Sequence, residues 1–296
     1  MTRTLLSIFF SALFALLSLQ SQAQTEARKY SNEFLKIGIG ARAAGLGNAM
    51  TALSDDATAA YWNPAGVMHV DKNHEIALMH NEYFAGVIKY DYGGFTAAMD
   101  NGRRIGLSVI RMGVDDIPNT LNFRDGNSFD YARITSFSVA DLAFLMSYAQ
   151  NIQGVEGLSV GGNVKVINRR VGDFATAWGF GLDVGAMYRK EGLSLGLMAS
   201  DVTSTFNAWS FNTETFEDAF RQAGQEIPQN SVEVTLPSVR LGGAYTFLRE
   251  KAINITPTLD FDVNFDGPRN VAFNLGEASF DPSVGLELSY KRIAYL

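Results

Sequence analysis

From Asn73 onward, apolar residues alternate with polar or small ones in segments of about ten residues. The clearest runs from Ala175 to Lys190. There Trp178, Phe180, Leu182, Val184, Ala186 and Tyr188 share one face, while Gly179, Gly181, Asp183, Gly185, Met187 and Arg189 share the other. Leu158–Asn168 repeats the pattern, with Leu158, Val160, Val164 and Val166 opposite Ser159, Gly161, Asn163 and Lys165. Ile253–Asn264 does so too, with Leu259, Phe261 and Val263 opposite Thr258, Asp260 and Asp262. A period of two puts an oily and a wet face on each segment, as in a strand. Weaker segments near 74–82, 88–100, 103–112, 138–150, 193–201, 237–249 and 282–290 complete the expected set.

Connection lengths sort by parity. Asp100–Gly102, Gln150–Glu156, Lys190–Gly192 and Glu250–Lys251 are short, whereas Gly113–Phe137, Asp201–Leu236 and Asp266–Asp281 are long; only 83–87 and 169–174 break the alternation. Short turns on one side and long loops on the other are the arrangement of an outer-membrane barrel, with the short turns periplasmic. The expected fold is therefore all-β, a transmembrane antiparallel β-barrel, which also removes the edges that so many strands would expose. No apolar run of helical-span length follows the N-terminal leader.

That leader reads as a secretory signal peptide over residues 1–23: Arg3, an apolar run from Leu5 to Leu19, then Ser21-Gln22-Ala23 ahead of Gln24. Residues 24–72 form a different unit. Within it, the stretch from Phe34 to Met68 is dominated by Ala and Gly, has no period of two, and carries Leu46, Met50, Leu53, Tyr61 and Trp62. Such a run packs inside something else rather than building its own core. Ser54-Asp55-Asp56 precedes a short helical turn that Asn63-Pro64 ends. Gly179, Gly181, Asp183 and Gly185 then fall on the lumen side of a strand, where low-volume residues leave room for a plug.

The run Gly40-Ala41-Arg42-Ala43-Ala44-Gly45-Leu46-Gly47-Asn48-Ala49, with Asp55 to Gly66 after it, resembles the N-terminal hatch of the PorV/PorQ family, a branch of the FadL-like outer-membrane barrels of Bacteroidetes-type bacteria. Asn63, Pro64, Ala65 and Gly66 carry the hatch motif. The resemblance implies a fourteen-stranded barrel, with residues 73–296 as its wall, and a role in type IX secretion through contacts with translocon and cargo proteins. It also implies a closing strand that ends in an aromatic residue; with Lys291-Arg292 as a turn and Ile293 to Leu296 opening a further strand, the chain reads as truncated.

Candidate chemistry adds little. His69, His74 and His80 lack metal-site spacing, no Walker, Rossmann or Gly-x-Ser-x-Gly signature stands in context, and no nucleophile, base and orienting group converge, so no catalytic residue, metal or cofactor is expected. Asp260 and Asp262 read as solvated near a rim. A net charge of −7 argues against nucleic acid. In the loop after Asp201, Thr213–Ala223 has Phe216, Ala219, Phe220 and Ala223 at helical spacing, with Gly224 as a stop. With Phe206, Trp209 and Phe211 it offers aromatic anchors, as a lid or as a docking ridge. Three classes of function follow: a secretion-associated barrel that binds protein through its loops, a transporter of hydrophobic small molecules, and, weakest, an enzyme. The polar and glycine-rich lumen positions favour the first. In either of the first two the protein sits in outer-membrane lipid.

The topology is testable with cysteines placed at Asn212 and at Glu191. In intact cells only the first should react with an impermeant maleimide; equal labelling would contradict the barrel orientation.

Overall fold

The computed structural model describes residues 31–295 except 122, 126–127, 223, 249–251 and 291–292. The signal peptide, the chain start at Gln24 and the Lys291-Arg292 turn lie outside the described residues. After a first 310 turn (Glu33–Lys36) come two short helices, Ala41–Gly45 and Ala59–Trp62, and a second 310 turn, Pro64–His69. The helix break falls at Asn63-Pro64, as expected from proline's missing N–H.

The strands follow as β1 (His74–Tyr83), β2 (Ile88–Met99), β3 (Arg103–Asn119), β4 (Arg124–Asp125), β5 (Ser128–Phe129), β6 (Thr135–Asn151), β7 (Leu158–Val171) and β8 (Ala175–Lys190). Then come β9 (Leu193–Ser200), β10 (Thr205–Phe211), the helix Glu217–Gln222, β11 (Ser231–Thr235), β12 (Ser238–Tyr245), β13 (Ile253–Asn264), β14 (Phe273–Leu275), β15 (Ala278–Tyr290) and β16 (Ile293–Tyr295). All but β4 and β5 join one antiparallel sheet of 14 strands. Among the described residues no ladder joins β1 to β15 or β16, so the sheet is open there.

The expected strands are all present, and the expected long loops are shorter than the sequence implied. Gly113–Phe137 is not wholly loop, because β3 continues to Asn119 and β6 begins at Thr135. A register shift between Val114 and Ile117, with Asp116 left-handed at φ 57°, interrupts the alternation there. Asp201–Leu236 likewise contains strand, at Thr205–Phe211 and Ser231–Thr235. β9 and β10 both pair along β8, β11 pairs β10, and β12 pairs β9, so two strands run on past a break at Asp201–Ser204 and another before Ser238. The remaining loop is 212–230. Two-residue chemistry holds the opposite end: Asn101-Gly102 and Glu191-Gly192 are all left-handed, the geometry of tight hairpin turns.

The polarity of the sheet is inverted relative to a soluble one. On one face Leu78 is 84% exposed, Val284 71%, Phe180 63% and Trp178 54%, and they are joined by Ile76, Phe144, Val164, Leu195 and Leu286. The other face buries Asp141, Asn163, Lys165, Asp183, Thr258 and Asp260. Asp260 therefore does not sit solvated at a rim: it accepts the Thr51 N–H at 2.9 Å, and Asp262 pairs with Arg240.

Residues 31–70 pack against this polar face and supply the large side chains of the core, in which Phe34, Ile39, Leu46, Met50, Leu53 and Trp62 meet Tyr90, Tyr92, Ile110, Leu145 and Ile167. The segment's hydrogen bonds run along almost the whole sheet. Gly40 N–H donates to Met79 of β1, the Tyr90 and Tyr92 hydroxyls donate to Phe34 O and Ala57 O, Thr258 of β13 donates to Ala49 O, and Arg42 reaches Glu287 of β15. One short segment can touch both β1 and β15 only because the sheet curls around it.

Close approach is what the strand glycines provide. A Cβ on Gly161 would lie 2.6 Å from the Pro64 carbonyl carbon, one on Gly94 2.6 Å from Ala57 O, one on Gly242 2.8 Å from Thr51 Cβ, and one on Gly285 2.7 Å from Leu46 O. These contacts are with backbone or short side chains, so neither surface can yield cheaply. Gly161→Val should therefore destabilise the segment by ~1–3 kcal/mol through overpacking and expose residues 41–70 to limited proteolysis. Protection as complete as in the native protein would refute the tight fit.

Candidate functional site

Two arrangements stand out on the concave face. The first is centred on Asn63, which is fully buried. Its Nδ2 donates to Thr51 O at 3.0 Å and to Ala186 O of β8 at 3.1 Å, and lies 3.4 Å from Leu197 O of β9, while its Oδ1 accepts the Ala65 N–H at 3.1 Å. Asn63 thus ties the helix break to the sheet as well as to the chain itself. Pro64 lies over Gly161 and Gly185, Ala65 O accepts the Ser159 hydroxyl at 3.2 Å, and Gly66 lies against Ser54 too closely for any side chain.

Of the lumen residues expected to face this segment, Gly185 does so directly, beneath Asn63 and Pro64. Gly179 and Gly181 do not: they make room for Asn207 and Thr205 of the neighbouring β10. Asn207 in turn donates to Ser31 Oγ at 2.8 Å and Asn32 Oδ1 at 3.0 Å, so the contact is relayed. Asp183 is a hub. It takes Lys165 at 3.0 Å, the Asp201 N–H at 2.9 Å and Asn163 Nδ2 at 3.3 Å, while Asn163 also donates to Ala60 O at 2.8 Å. Lys165, itself buried, is shared with Asp201 at 2.6 Å.

At the short-turn end, Arg42 bridges Asp55 and Glu287, each at 2.6 Å, and Arg189 meets Asp55 at 3.2 Å. Burial opposes the charge on Arg42, yet Asp55 and then Glu287 outweigh it and raise its pKa. His69, 3.2 Å from Ser159 Oγ, is pushed down to about 4 by burial and by Arg189, and so is neutral at ordinary pH. His74 stacks on Phe95 and His80 pairs with Asp91 at the outer surface.

The second arrangement is an aromatic cleft of about 560 Å³ at the long-loop end, lined by Trp209, Phe211, Phe216, Phe220, Phe137 and Phe174 among others. Four of the five expected aromatic anchors meet here. Phe206 does not: it lies on the outer face of β10, 52% exposed among the apolar side chains, because strand alternation sends it away from Trp209 by one pleat-related face. Trp209 and Phe211 are strand rather than loop residues. The expected helix begins as a 310 turn, Thr213–Thr215, and continues as Glu217–Gln222, with Phe216 buried; Ala223 lies outside the described residues. Phe216 closes the cleft like a lid, 6.4 Å between centroids from Phe174 and 5.1 Å from Phe220. Phe137 and Phe174 meet edge to face at 5.1 Å. These two walls escaped the sequence reading, although both flank connections at the long-loop end.

One polar edge orients the cleft. Arg169 lies 5.2 Å over the Trp209 ring, held by Asp141 at 2.8 Å and by Glu233 at 3.2 Å. Glu233 also lines the cleft and accepts the Ser31 hydroxyl at 3.2 Å. The indole Nε1 of Trp209 is buried and has no hydrogen-bond partner among the described residues. The cleft therefore offers apolar contact area, the Trp209 indole and a carboxylate.

Fold and site together define an all-β protein whose antiparallel sheet curls around its own N-terminal segment, with an aromatic cleft at one end. The chain belongs to an uncharacterised protein family, UPF0164, whose profile matches residues 11–179. A comparison with curated proteins finds no match.

Because Asn63 Nδ2 faces three carbonyl oxygens, Asn63→Asp should be worse than Asn63→Ala: the alanine leaves those acceptors unmet at ~1–3 kcal/mol, and the aspartate adds repulsion. Denaturation followed by near-ultraviolet circular dichroism would rank the two. Equal stability of the aspartate variant and the native protein would remove Asn63 from its anchoring role.

Proposed function

We propose that this protein is an outer-membrane β-barrel of the PorV/PorQ type, with residues 24–72 as its hatch, which takes part in type IX protein secretion by binding translocon or cargo proteins at its extracellular mouth. The observation that carries the reading is the aromatic cleft at the long-loop end, set above a concave face filled by the N-terminal segment. A filled interior leaves no route for a folded protein, so partners would be met at the mouth. The inverted polarity of the sheet supports a lipid location: contiguous exposed apolar side chains on strands of membrane-crossing length cost free energy in water and none in hydrocarbon. The Asn63–Gly66 turn supports the family resemblance, since Asn63, Pro64 and Ala65 each contact the sheet and Gly66 packs against Ser54.

A second reading, a FadL-like carrier of hydrophobic small molecules, is favoured by one observation. The strand periodicity gave only polar or glycine positions for the lumen, yet the cleft is an apolar pocket within the usual range of small-molecule sites, ~300–1,000 Å³.

Deletion of the gene with proteomics of the cell surface and medium separates them. The secretion reading expects loss of many surface proteins, and a large translocon captured with the tagged protein from solubilised outer membrane. Normal surface proteins with lost uptake of a hydrophobic compound would replace it with the carrier.

A further inference from the structure

We infer that the aromatic cleft is the seat for an extended segment of a partner protein that carries an aromatic or branched aliphatic side chain beside a lysine or arginine. The inference rests on the reading of the protein as a binder of secreted or translocon proteins, and it specifies the chemistry of what is bound.

Three features of the cleft select this occupant. Its walls, Phe137, Phe174, Phe216 and Phe220, are apolar and aromatic, which suits a large apolar side chain. The Trp209 Nε1–H is buried without a partner among the described residues, and a buried donor left unmet costs free energy that an incoming acceptor recovers. A peptide carbonyl is such an acceptor, and an extended segment presents one beside each side chain. Finally, the stretches that flank the cleft are acidic on balance: 119–137 is even, with Arg124 and Arg133 against Asp125 and Asp130, and 212–233 is acidic. From Asn212 to Glu233 the chain holds Glu214, Glu217, Asp218, Glu226 and Glu233 against Arg221 alone. Arg169, which lies over the Trp209 ring, is already claimed by Asp141 and Glu233.

The same charge disfavours a fatty acid or an anionic lipid. Its apolar tail would suit the walls, but its carboxylate or phosphate would face Glu233 and the acidic 212–230 loop. A neutral segment would satisfy Trp209 and leave the acidic rim unused; a basic residue beside the apolar anchor uses both, and long-range attraction would speed its arrival.

The test uses the full-length protein in detergent micelles and a fluorescent capped peptide with phenylalanine and isoleucine between two lysines, read by anisotropy. A twin with glutamates in place of the lysines is the control, and oleate is the competitor. The lysine peptide should bind about tenfold more tightly than its twin, with the difference shrinking as salt screens the rim. Trp209→Phe, which keeps the ring and removes the donor, should weaken binding about fivefold, and Phe216→Ala about tenfold, within the range of interface hot spots. Glu233→Gln should narrow the preference for lysine over glutamate. Equal binding of the two peptides, displacement of the lysine peptide by stoichiometric oleate, or no binding of either peptide would each overturn the inference. The outcome is separable from that of the secretion reading. If the lysine peptide binds as expected but deletion of the gene leaves the surface proteins intact, the cleft's specificity stands and the secretion role falls. If deletion empties the surface and a Trp209→Phe, Phe216→Ala variant restores it fully, the secretion role stands and the cleft falls.

Discussion

The structure depends on the contact between two surfaces that both lack bulk. An alanine- and glycine-rich segment lies with its backbone almost against the wall, and glycines on β2, β7, β8, β12 and β15 are what let it do so. Because so many of the contacts are backbone to backbone or backbone to Cβ, they add specificity that side-chain packing alone would not. Shifting the segment by one residue would put Asn63 away from Ala186 O and bring a side chain onto Gly161. Hydrogen bonds from Thr51, Asn63, Tyr90, Asn163 and Thr258 then lock the register, each meeting a polar group that would otherwise be buried unpaired.

The polar wall follows from the same constraint. A segment with few regular hydrogen bonds of its own brings many backbone N–H and C=O groups into the interior. The wall must answer with donors and acceptors, hence Asp260, Asn163 and the tyrosine hydroxyls. Most apolar side chains of the strands are displaced to the opposite face, while Tyr90, Tyr92, Ile110, Leu145 and Ile167 stay inside against the segment. The oily exterior and the polar, filled interior are thus one design, and at the long-loop end Trp209 and Phe211 add further aromatic side chains to the inner face.

That reversal explains which parts could be read from the sequence. Ala175–Lys190, Leu158–Asn168 and Ile253–Asn264 alternate along most of their length, so their period of two was plain, although the inner face of β7 turns apolar at Ile167. In Thr205–Phe211 the inner face changes from Thr205 and Asn207 to Trp209 and Phe211, while the outer face ends in Ser210. Polarity switches within one strand, the alternation cancels, and the stretch passes for loop. Asp183 was placed on the inner face from periodicity, yet its partners Lys165 and Asp201 come from other strands and a strand break, which only the register brings together. The Asn63-Pro64 turn was legible because proline chemistry is local. The gathering of Phe137 and Phe174 with Phe216 was not, since these residues are brought together by topology.

The account stands or falls on whether the exposed apolar face meets lipid. Nitroxide labels at Leu78, Phe180 and Leu286, one at a time, in protein reconstituted into lipid vesicles would report this through collision with oxygen and with a water-soluble nickel chelate. The account predicts strong relaxation by oxygen and little by nickel at all three positions. Strong relaxation by nickel at these sites would mean that water covers this face, and would contradict a membrane-embedded sheet.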